Sequence, residues 1–227
     1  PIVLTLVAQN IINVTDTAFF GRVGEVALGA SALAGIFYIA IFMLGYGFST
    51  GTQIMISRRN GEKEYTQVGK IFDQSSYFFV ALALLVFSIV YFFGAPMLAL
   101  IVSSKNILAA SEIYLTIRVF GVVFAFGNLA FRSLLVGITQ TKALGYSAGV
   151  MAITNVVLDY IFIFGHFGFS AMGIGGAALA SVFSELAALL FFIVYTFINL
   201  DRNQYHIFKF PAIDFKMIGK TLELSIY

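Results

Sequence analysis

The chain has 227 residues, of which 60% are hydrophobic and only 11% are charged. Since a soluble domain averages about 45–50% apolar and about 25% charged residues, this composition favours a membrane protein with a lipid bilayer as its partner. The net charge of +2 gives no argument for nucleic acid as a partner, and a sequence without cysteine excludes disulfides and thiolate metal sites.

Six segments are apolar over the length of about 20 residues that a helix needs to cross a bilayer. They cover approximately residues 1–20, 31–57, 74–93, 112–137, 143–164 and 176–199. The predicted fold class is therefore all-α, a polytopic bundle of six transmembrane helices in residues 1–200. The polar stretch 201–216 follows as a linker, expected to be a short surface helix or loop at the headgroups, and residues 217–227 begin a seventh helix.

Lys and Arg residues are divided unequally between the predicted loops. Even-numbered loops hold nine of them and odd-numbered loops hold two. The positive-inside rule therefore places loops two and four and the linker 201–216 in the cytoplasm. We accordingly expect a multi-pass protein of the cell (inner) membrane whose first helix begins on the cytoplasmic side.

Two carboxylates fall inside the predicted spans at the same depth. Asp16 lies five residues before the outer end of the first span, and Asp159 lies six residues before the outer end of the fifth. At a rise of 1.5 Å per residue, both are roughly 8–9 Å inside the outer boundary. Asn155 lies one turn from Asp159 on the same helix face, and Ser181 of the sixth span reaches a similar depth. If the helices face each other, these four residues form one polar layer.

The chemistry of this layer indicates a site for a small cation. An unpaired carboxylate in hydrocarbon is costly and normally faces the protein interior or a water-filled cavity. Two neighbouring carboxylates repel each other, so that one takes a proton or the pair binds a cation. Oxygen ligands suit Na⁺ or H⁺, which predicts a cation site at Asp16, Asn155 and Asp159. The alternative is that each aspartate is a structural residue with satisfied hydrogen bonds.

Other polar side chains in the spans are candidates for a substrate cavity. Gln9, Asn13 and Asp16 lie at positions i, i+4 and i+7 and form one stripe of the first helix. Such a stripe either lines a cavity or makes hydrogen bonds between helices. The further candidates, from spans two, four and six, are Tyr46, Gln53, Asn128 and Glu185.

Three charged residues in spans four and six need separate interpretation. Arg118 and Arg132 lie near opposite ends of the fourth span, from which long basic side chains can extend to the two membrane interfaces. Arg132 is one turn from Asn128, so its alternative is a place in the cavity. Glu185 lies near mid-membrane. Its role stays open between a protonated carboxyl group, a partner such as Arg118, and a place in the cavity wall.

Two stretches of the sequence resemble transporters of the multidrug and toxic compound extrusion (MATE) family. PIVLTLVAQNIINVTDTAFFGRVGEVALGASALAG has the order of residues found at the beginning of such proteins. LLVGITQTKALGYSAGVMAITNVVLDYIFIFG, followed by MGIGGAALAS, resembles their fifth and sixth helices, although GITQT replaces the commoner G-x-G-D-T turn. The matching positions are Pro1, Gln9, Asp16, Thr17, Gly21, Gly24, Gly137, Gln140, Thr141, Asn155, Asp159, Gly173, Gly176 and Ala177.

This resemblance covers nearly the whole chain and implies a function. Family members have twelve helices in two six-helix lobes and exchange Na⁺ or H⁺ for organic cations and related drugs. The chain would be the N-lobe, with Asp16, Asn155 and Asp159 as its cation site, Ser181 as a further ligand and Gln9 facing the drug cavity. The implied partners are the drug and a second six-helix lobe of the same chain; we expect no cofactor besides the coupling ion and no enzymatic activity.

The ends of the sequence fit the same interpretation. The chain starts within a helix without Met and stops a few residues into a seventh helix. We therefore expect a lobe truncated at both ends, with residues 217–227 as the beginning of the second lobe.

Two other functions remain open at this point. A flippase for lipid-linked oligosaccharides belongs to the same wider superfamily, although such proteins usually carry more basic cavity residues and extra helices. An intramembrane aspartyl enzyme would use the two aspartates as a catalytic pair. Asp16 lies in TDT and Asp159 in LDY, which differ from the YD and GxGD settings that such enzymes have.

Overall fold

The computed structural model describes residues 2–225, apart from the side chains of residues 2–4 and 202, and within this range all regular secondary structure is helical. Pro1, Ile226 and Tyr227, on which parts of the sequence predictions fall, lie outside the described residues. The helices are α1 (Ile2–Val23), α2 (Glu25–Gly61), α3 (Tyr65–Ile101), α4 (Lys105–Arg118), α5 (Gly121–Gly137), α6 (Lys142–Phe164), α7 (Gly173–Asn199), α8 (Arg202–Tyr205) and α9 (Phe215–Leu224).

Most of the predicted spans have counterparts among these helices. Within the described residues, α2, α3, α6 and α7 are each long and apolar enough to cross a membrane, and the bent pair of α4 and α5 makes a fifth crossing if it counts as one span. The first predicted span corresponds to α1, a helix of 22 residues whose apolar surface is interrupted by Gln9, Asn13 and Asp16.

The helices α2 and α3 are longer than the apolar segments that predicted them. Each has 37 residues, and only residues 62–64 separate them. The stretch GAPM at 94–97, predicted as a loop, lies inside α3, which continues past Pro96 to Ile101. Hydropathy indicates only the part of a helix that meets lipid, whereas backbone hydrogen bonds within a helix extend it beyond that part.

The fourth predicted span is a broken helix, and the prediction of one helix over 112–137 was wrong. The axes of α4 and α5 differ by 52° across a break at Val119 and Phe120. Gly121 follows the break and lies against the side chains of Arg118 and Glu185, where a Cβ atom would overlap with both. The bend is therefore tied to a tertiary contact, which hydropathy does not reveal.

The hydrophobic core surrounds α5, which packs against α2, α3 and α7. Phe72 of α3 lies 5.4 Å from Phe131 of α5 between ring centroids, and Phe131 stacks on Phe192 of α7 at 6.3 Å. All three rings are buried. Since lipid is as apolar as a protein core, such contacts between membrane helices stabilise by van der Waals packing, and they hold α5 at the centre of the bundle.

The close packing of α6 and α7 depends on Gly176 near the beginning of α7. A Cβ atom at this position would lie 2.6 Å from the carbonyl carbon of Phe162 in α6. The N–H of Met172 donates to the carbonyl oxygen of the same Phe162 at 2.9 Å. Since α1 packs on α6 as well, α6 lies between α1 and α7 and carries Asn155 and Asp159 into the bundle.

The linker is attached to α3 by Asp73, a residue that the sequence analysis did not single out. Asp73 is fully buried, and its carboxylate accepts hydrogen bonds from the N–H groups of Phe208 (2.9 Å), Lys209 (2.8 Å) and Phe210 (2.9 Å). Phe208 and Phe210 adopt positive φ angles of 61° and 45°, which cost a non-glycine residue about 1–3 kcal/mol. The buried carboxylate offsets this cost because it satisfies three successive N–H groups.

A second contact continues the attachment towards α9. Gln74 donates to the carbonyl oxygen of Ala212 and accepts from the N–H of Asp214, both at 2.8 Å. Asp214 also forms an ion pair with Lys70 at 3.1 Å. The hydrogen bond from the N–H of Met217 and, to a smaller extent, the hydrogen bond from the Lys70 side chain hold the pKa of Asp214 below its ordinary value. The helix α9 then begins at Phe215, two residues before the predicted seventh helix.

We predict that Asp73→Ala releases the linker from α3. The substitution leaves three N–H groups without their acceptor, at a cost of about 3 kcal/mol, so that trypsin should cleave after the exposed Lys209 roughly a hundredfold faster. Peptide mapping of the protein in detergent measures this rate. The control is Glu64→Ala, which removes an exposed carboxylate next to α3; equal cleavage of both variants would refute the attachment.

We predict that Gly176→Ala destabilises the bundle. The added Cβ atom overlaps with the backbone of Phe162, and such overpacking costs about 1–3 kcal/mol. Thermal unfolding in detergent should show a lower Tm than that of the matched variant Gly149→Ala, because a methyl group added at Gly149 in α6 would meet no atom within 4 Å. The same Tm for both variants would contradict the close packing.

Candidate functional site

The helices α1 and α6 bring Asp16, Asn155 and Asp159 together. In the orientation of the Asn155 amide that satisfies its neighbours, the amide nitrogen donates to Asp16 Oδ1 and to Asp159 Oδ2, both at 3.2 Å. In the structure α1 and α6 therefore face each other with their acidic residues, an arrangement that the sequence alone does not determine.

Burial distinguishes the two sides of this cluster. Asn155 and Asp159 are each 1% exposed, whereas Asp16 is only partly buried. Asp159 Oδ1 is buried and, among the residues that the structure describes, has no hydrogen-bond partner. A buried polar atom without a partner costs free energy, so this oxygen is available to a ligand that donates or is positively charged.

The two aspartates present carboxylate oxygens on either side of the Asn155 amide nitrogen. Two carboxylates held this close together repel each other unless a proton or a cation compensates their charge. Carboxylate oxygens are hard ligands, which suit small cations such as Na⁺. The cluster can therefore hold a proton or a monovalent metal ion.

Ser181, the fourth residue of the predicted layer, is partly buried on α7. Its carbonyl oxygen accepts a hydrogen bond from Ser184 Oγ at 2.8 Å. Over residues 2–225, no hydrogen bond of its hydroxyl group to the two aspartates or Asn155 is found. Its role as a ligand stays a prediction.

A cavity of about 410 Å³ lies beside this cluster. Apolar side chains form most of its wall, together with a smaller set of polar and charged ones. Three of these polar residues, Gln9, Asn128 and Glu185, are predicted cavity residues, and Arg132 takes the alternative that places it in the cavity. The other polar residues of the described wall were not assigned to the cavity: Thr5, Tyr38, Arg118 and Ser147.

The other three predicted cavity residues are not in the part of the wall that the structure describes. Asn13 is exposed, one turn beyond Gln9 on α1, and Gln53 lies beside Gly137 at the end of α5. Tyr46 is 38% exposed, and the guanidinium carbon of Arg132 lies 5.4 Å from the centroid of the Tyr46 ring. Polarity within a span identified these residues, but the direction of each side chain depends on helix packing.

Two apolar side chains mark the boundary between the cavity and the cluster of acids. Ile12 of α1 and Met151 of α6 both line the cavity. Asp16 follows Ile12 by one helical turn, and Asn155 follows Met151 by one turn. The cluster therefore lies one turn beyond the cavity along the same pair of helices.

Arg118 and Glu185 form a buried ion pair in the cavity wall. The two guanidinium N–H groups bond the two carboxylate oxygens at 2.8 and 2.5 Å, and the side chains are only 9% and 7% exposed. The Tyr38 hydroxyl lies 3.2 Å from both oxygens, and its ring lies 3.7 Å from the guanidinium carbon. The interpretation of Arg118 as a residue that extends to the membrane interface was wrong, because the break after α4 turns it inward.

Asn128 extends this polar group. Its amide nitrogen donates to the carbonyl oxygen of Glu185 at 2.9 Å, and its own oxygen is buried without a hydrogen-bond partner in the described structure. Of the three roles left open for Glu185, the structure therefore shows two at once: pairing with Arg118 and a place in the cavity wall.

Comparisons with known proteins agree with these features. The MatE family model matches residues 1–161. The probable multidrug resistance protein NorM of Agrobacterium fabrum is 28% identical over 228 residues, which are 100% of this chain and 49% of that protein. The probable multidrug resistance protein YoeA of Bacillus subtilis is 28% identical over 198 residues, which are 86% of this chain and 42% of that protein. The chain thus spans about half the length of the curated relatives it matches.

A solved structure shows the same fold. A multidrug resistance MATE family transporter of the MOP superfamily, in its outward-facing conformation, superposes with a TM-score of 0.89 at 19% identity, over 98% of this chain and 49% of that one. The predicted all-α, polytopic membrane fold is thereby confirmed. Since the family model matches well over half of the sequence, the chain belongs to the MatE family, as the resemblance of its motifs indicated.

Proposed function

We propose that this chain is the N-lobe of a cation-coupled antiporter that exports organic cations or drugs by alternating access. In this proposal Na⁺ or H⁺ binds at Asp16, Asn155 and Asp159, and the drug binds in the adjoining cavity. The relatives described as probable multidrug resistance proteins support drugs as the substrate class.

The observation that carries the proposal is the approach of Asp16 and Asp159 on either side of the Asn155 amide nitrogen, together with the buried Oδ1 of Asp159, which has no hydrogen-bond partner in the described structure. When the site is empty, two carboxylates from different helices repel each other, and α1 and α6 are pushed apart. A bound proton or Na⁺ removes this repulsion and favours the arrangement in which the helices close. Because a ligand shifts a conformational equilibrium by its difference in affinity for the two states, cation binding can drive the change between outward-facing and inward-facing states.

Antiport also needs a partner for this lobe. Alternating access in transporters with internal repeats is largely a movement of one repeat against the other. The relatives are about twice as long as this chain, which supports a second six-helix lobe as the partner. The excess of Lys and Arg in the even-numbered loops supports a cytoplasmic linker 201–216 and N-terminal side. The bacterial relatives support the cell (inner) membrane as the location.

We predict that Asp159→Asn abolishes coupled export. The experiment uses the complete protein in liposomes that contain the lipophilic cation tetraphenylphosphonium. A Na⁺ or pH gradient should drive its exchange in the wild-type protein. The substitution removes a charged ligand from the site and should lower the initial rate at least tenfold, because one interaction with a charged group contributes about 1.5–3 kcal/mol. Asp16→Asn should lower the rate to a similar extent.

The matched control is Asp201→Asn, which changes an exposed aspartate that caps α8 and should keep the wild-type rate. Exchange at the wild-type rate in Asp159→Asn would refute the proposed cation site. Cleavage of a peptide by the purified protein that is lost in Asp159→Asn would instead identify an aspartyl enzyme.

A further inference from the structure

The Arg118–Glu185 ion pair lies close to the candidate cation site. Arg118 and Glu185 line the same cavity as Ile12 and Met151. Asp16 follows Ile12 by one helical turn, and Asn155 follows Met151 by one turn. The site and the ion pair are therefore within electrostatic range of each other inside the bundle, where water screens charges poorly.

The position of Arg118 poses a problem for cation binding. A guanidinium group stays charged in proteins, and a positive charge within electrostatic range of Asp16 opposes the binding of a second positive charge there. Glu185 compensates for this, because its two oxygens bond the two guanidinium nitrogens and the pair is neutral as a whole. The Tyr38 hydroxyl lies 3.2 Å from each oxygen and shares its single proton between them, which helps to hold the carboxylate in this orientation.

We propose that Glu185 is a positioning residue that sets the affinity of the Asp16–Asp159 site for its cation by neutralising Arg118. The inference rests on the proposed function, since it concerns the same site. Glu185 does not touch the cation; it acts only through the charge of Arg118. Because both residues of the pair line the cavity, the charge that the cation site experiences depends on what the cavity holds.

A purely structural role for the pair is the competing explanation. The pair connects the end of α4, at the break in the fourth span, to the middle of α7. Loss of either partner would then loosen the bundle and weaken the site to a similar extent. The electrostatic role predicts a different pattern, because removal of the negative and of the positive partner changes the local charge in opposite directions.

The test measures cation binding to the complete protein at pH 8 in detergent. The probes are ²²Na⁺ and, in Na⁺-free buffer, H⁺ released or taken up; the probe used is the one whose binding is lost in Asp159→Asn. Glu185→Gln leaves the charge of Arg118 uncompensated and should weaken binding at least tenfold, because a unit charge has this effect at about 12 Å, and a larger one when closer, at an effective dielectric constant of about 20. The double variant Arg118→Gln/Glu185→Gln, which is neutral again, should bind within about twofold of the wild-type protein.

Each other outcome has a defined meaning. If the double variant binds as weakly as Glu185→Gln, or if Glu185→Gln binds like the wild-type protein, the inference is wrong although the cation site stands. If Glu185→Gln does not fold, Arg118→Gln decides: its affinity should equal or exceed that of the wild-type protein, and a fall of more than twofold overturns the inference. Wild-type protein that binds neither cation through Asp159 would reject the proposed function itself.

Discussion

The interaction on which this structure depends most is the approach of two acidic side chains, Asp16 and Asp159, from two different helices. Asn155 bridges them at 3.2 Å on each side, and this bridge requires α1 to lie directly against α6. On its other side α6 packs against α7, where Gly176 leaves room for the backbone of Phe162. Close helix packing thus brings two charges together that would repel each other in any environment, and the protein keeps them together where a proton or cation can compensate.

The charges inside the bundle form two groups. The first, with Asp16 and Asp159, lies one turn beyond the cavity, and the second, Arg118 with Glu185, lies in the cavity wall. A buried ion pair contributes little to stability, since the desolvation of two charges offsets most of their attraction. Its position in the cavity wall, near the proposed cation site, therefore agrees with the inferred role in controlling charge.

Much of the fold, and the common depth of the two aspartates in the site, follow from the sequence alone. Apolar length predicts the spans, and a rise of 1.5 Å per residue places Asp16 and Asp159 at one depth, because both quantities depend on local helix geometry. The break at Val119 and Phe120 and the inward direction of Arg118 depend on contacts with α7, which no local pattern contains. Asp73 was missed for the same reason: its three partners lie more than 130 residues away in the linker.

The most direct test of the account is the distance between positions 16 and 159 in the membrane. The sequence has no cysteine, so that paired substitutions can be labelled selectively if the complete protein is likewise free of it. If Asp16 and Asp159 lie side by side, Asp16→Cys/Asp159→Cys is joined by the shortest bifunctional thiol reagent, as detected by mass spectrometry of the linked peptides. The control pair Asp16→Cys/Val157→Cys, in which Val157 is 50% exposed on another face of α6, should stay unlinked. If the first pair is not linked although each of its two thiols reacts with a monofunctional thiol reagent, the shared cation site is contradicted.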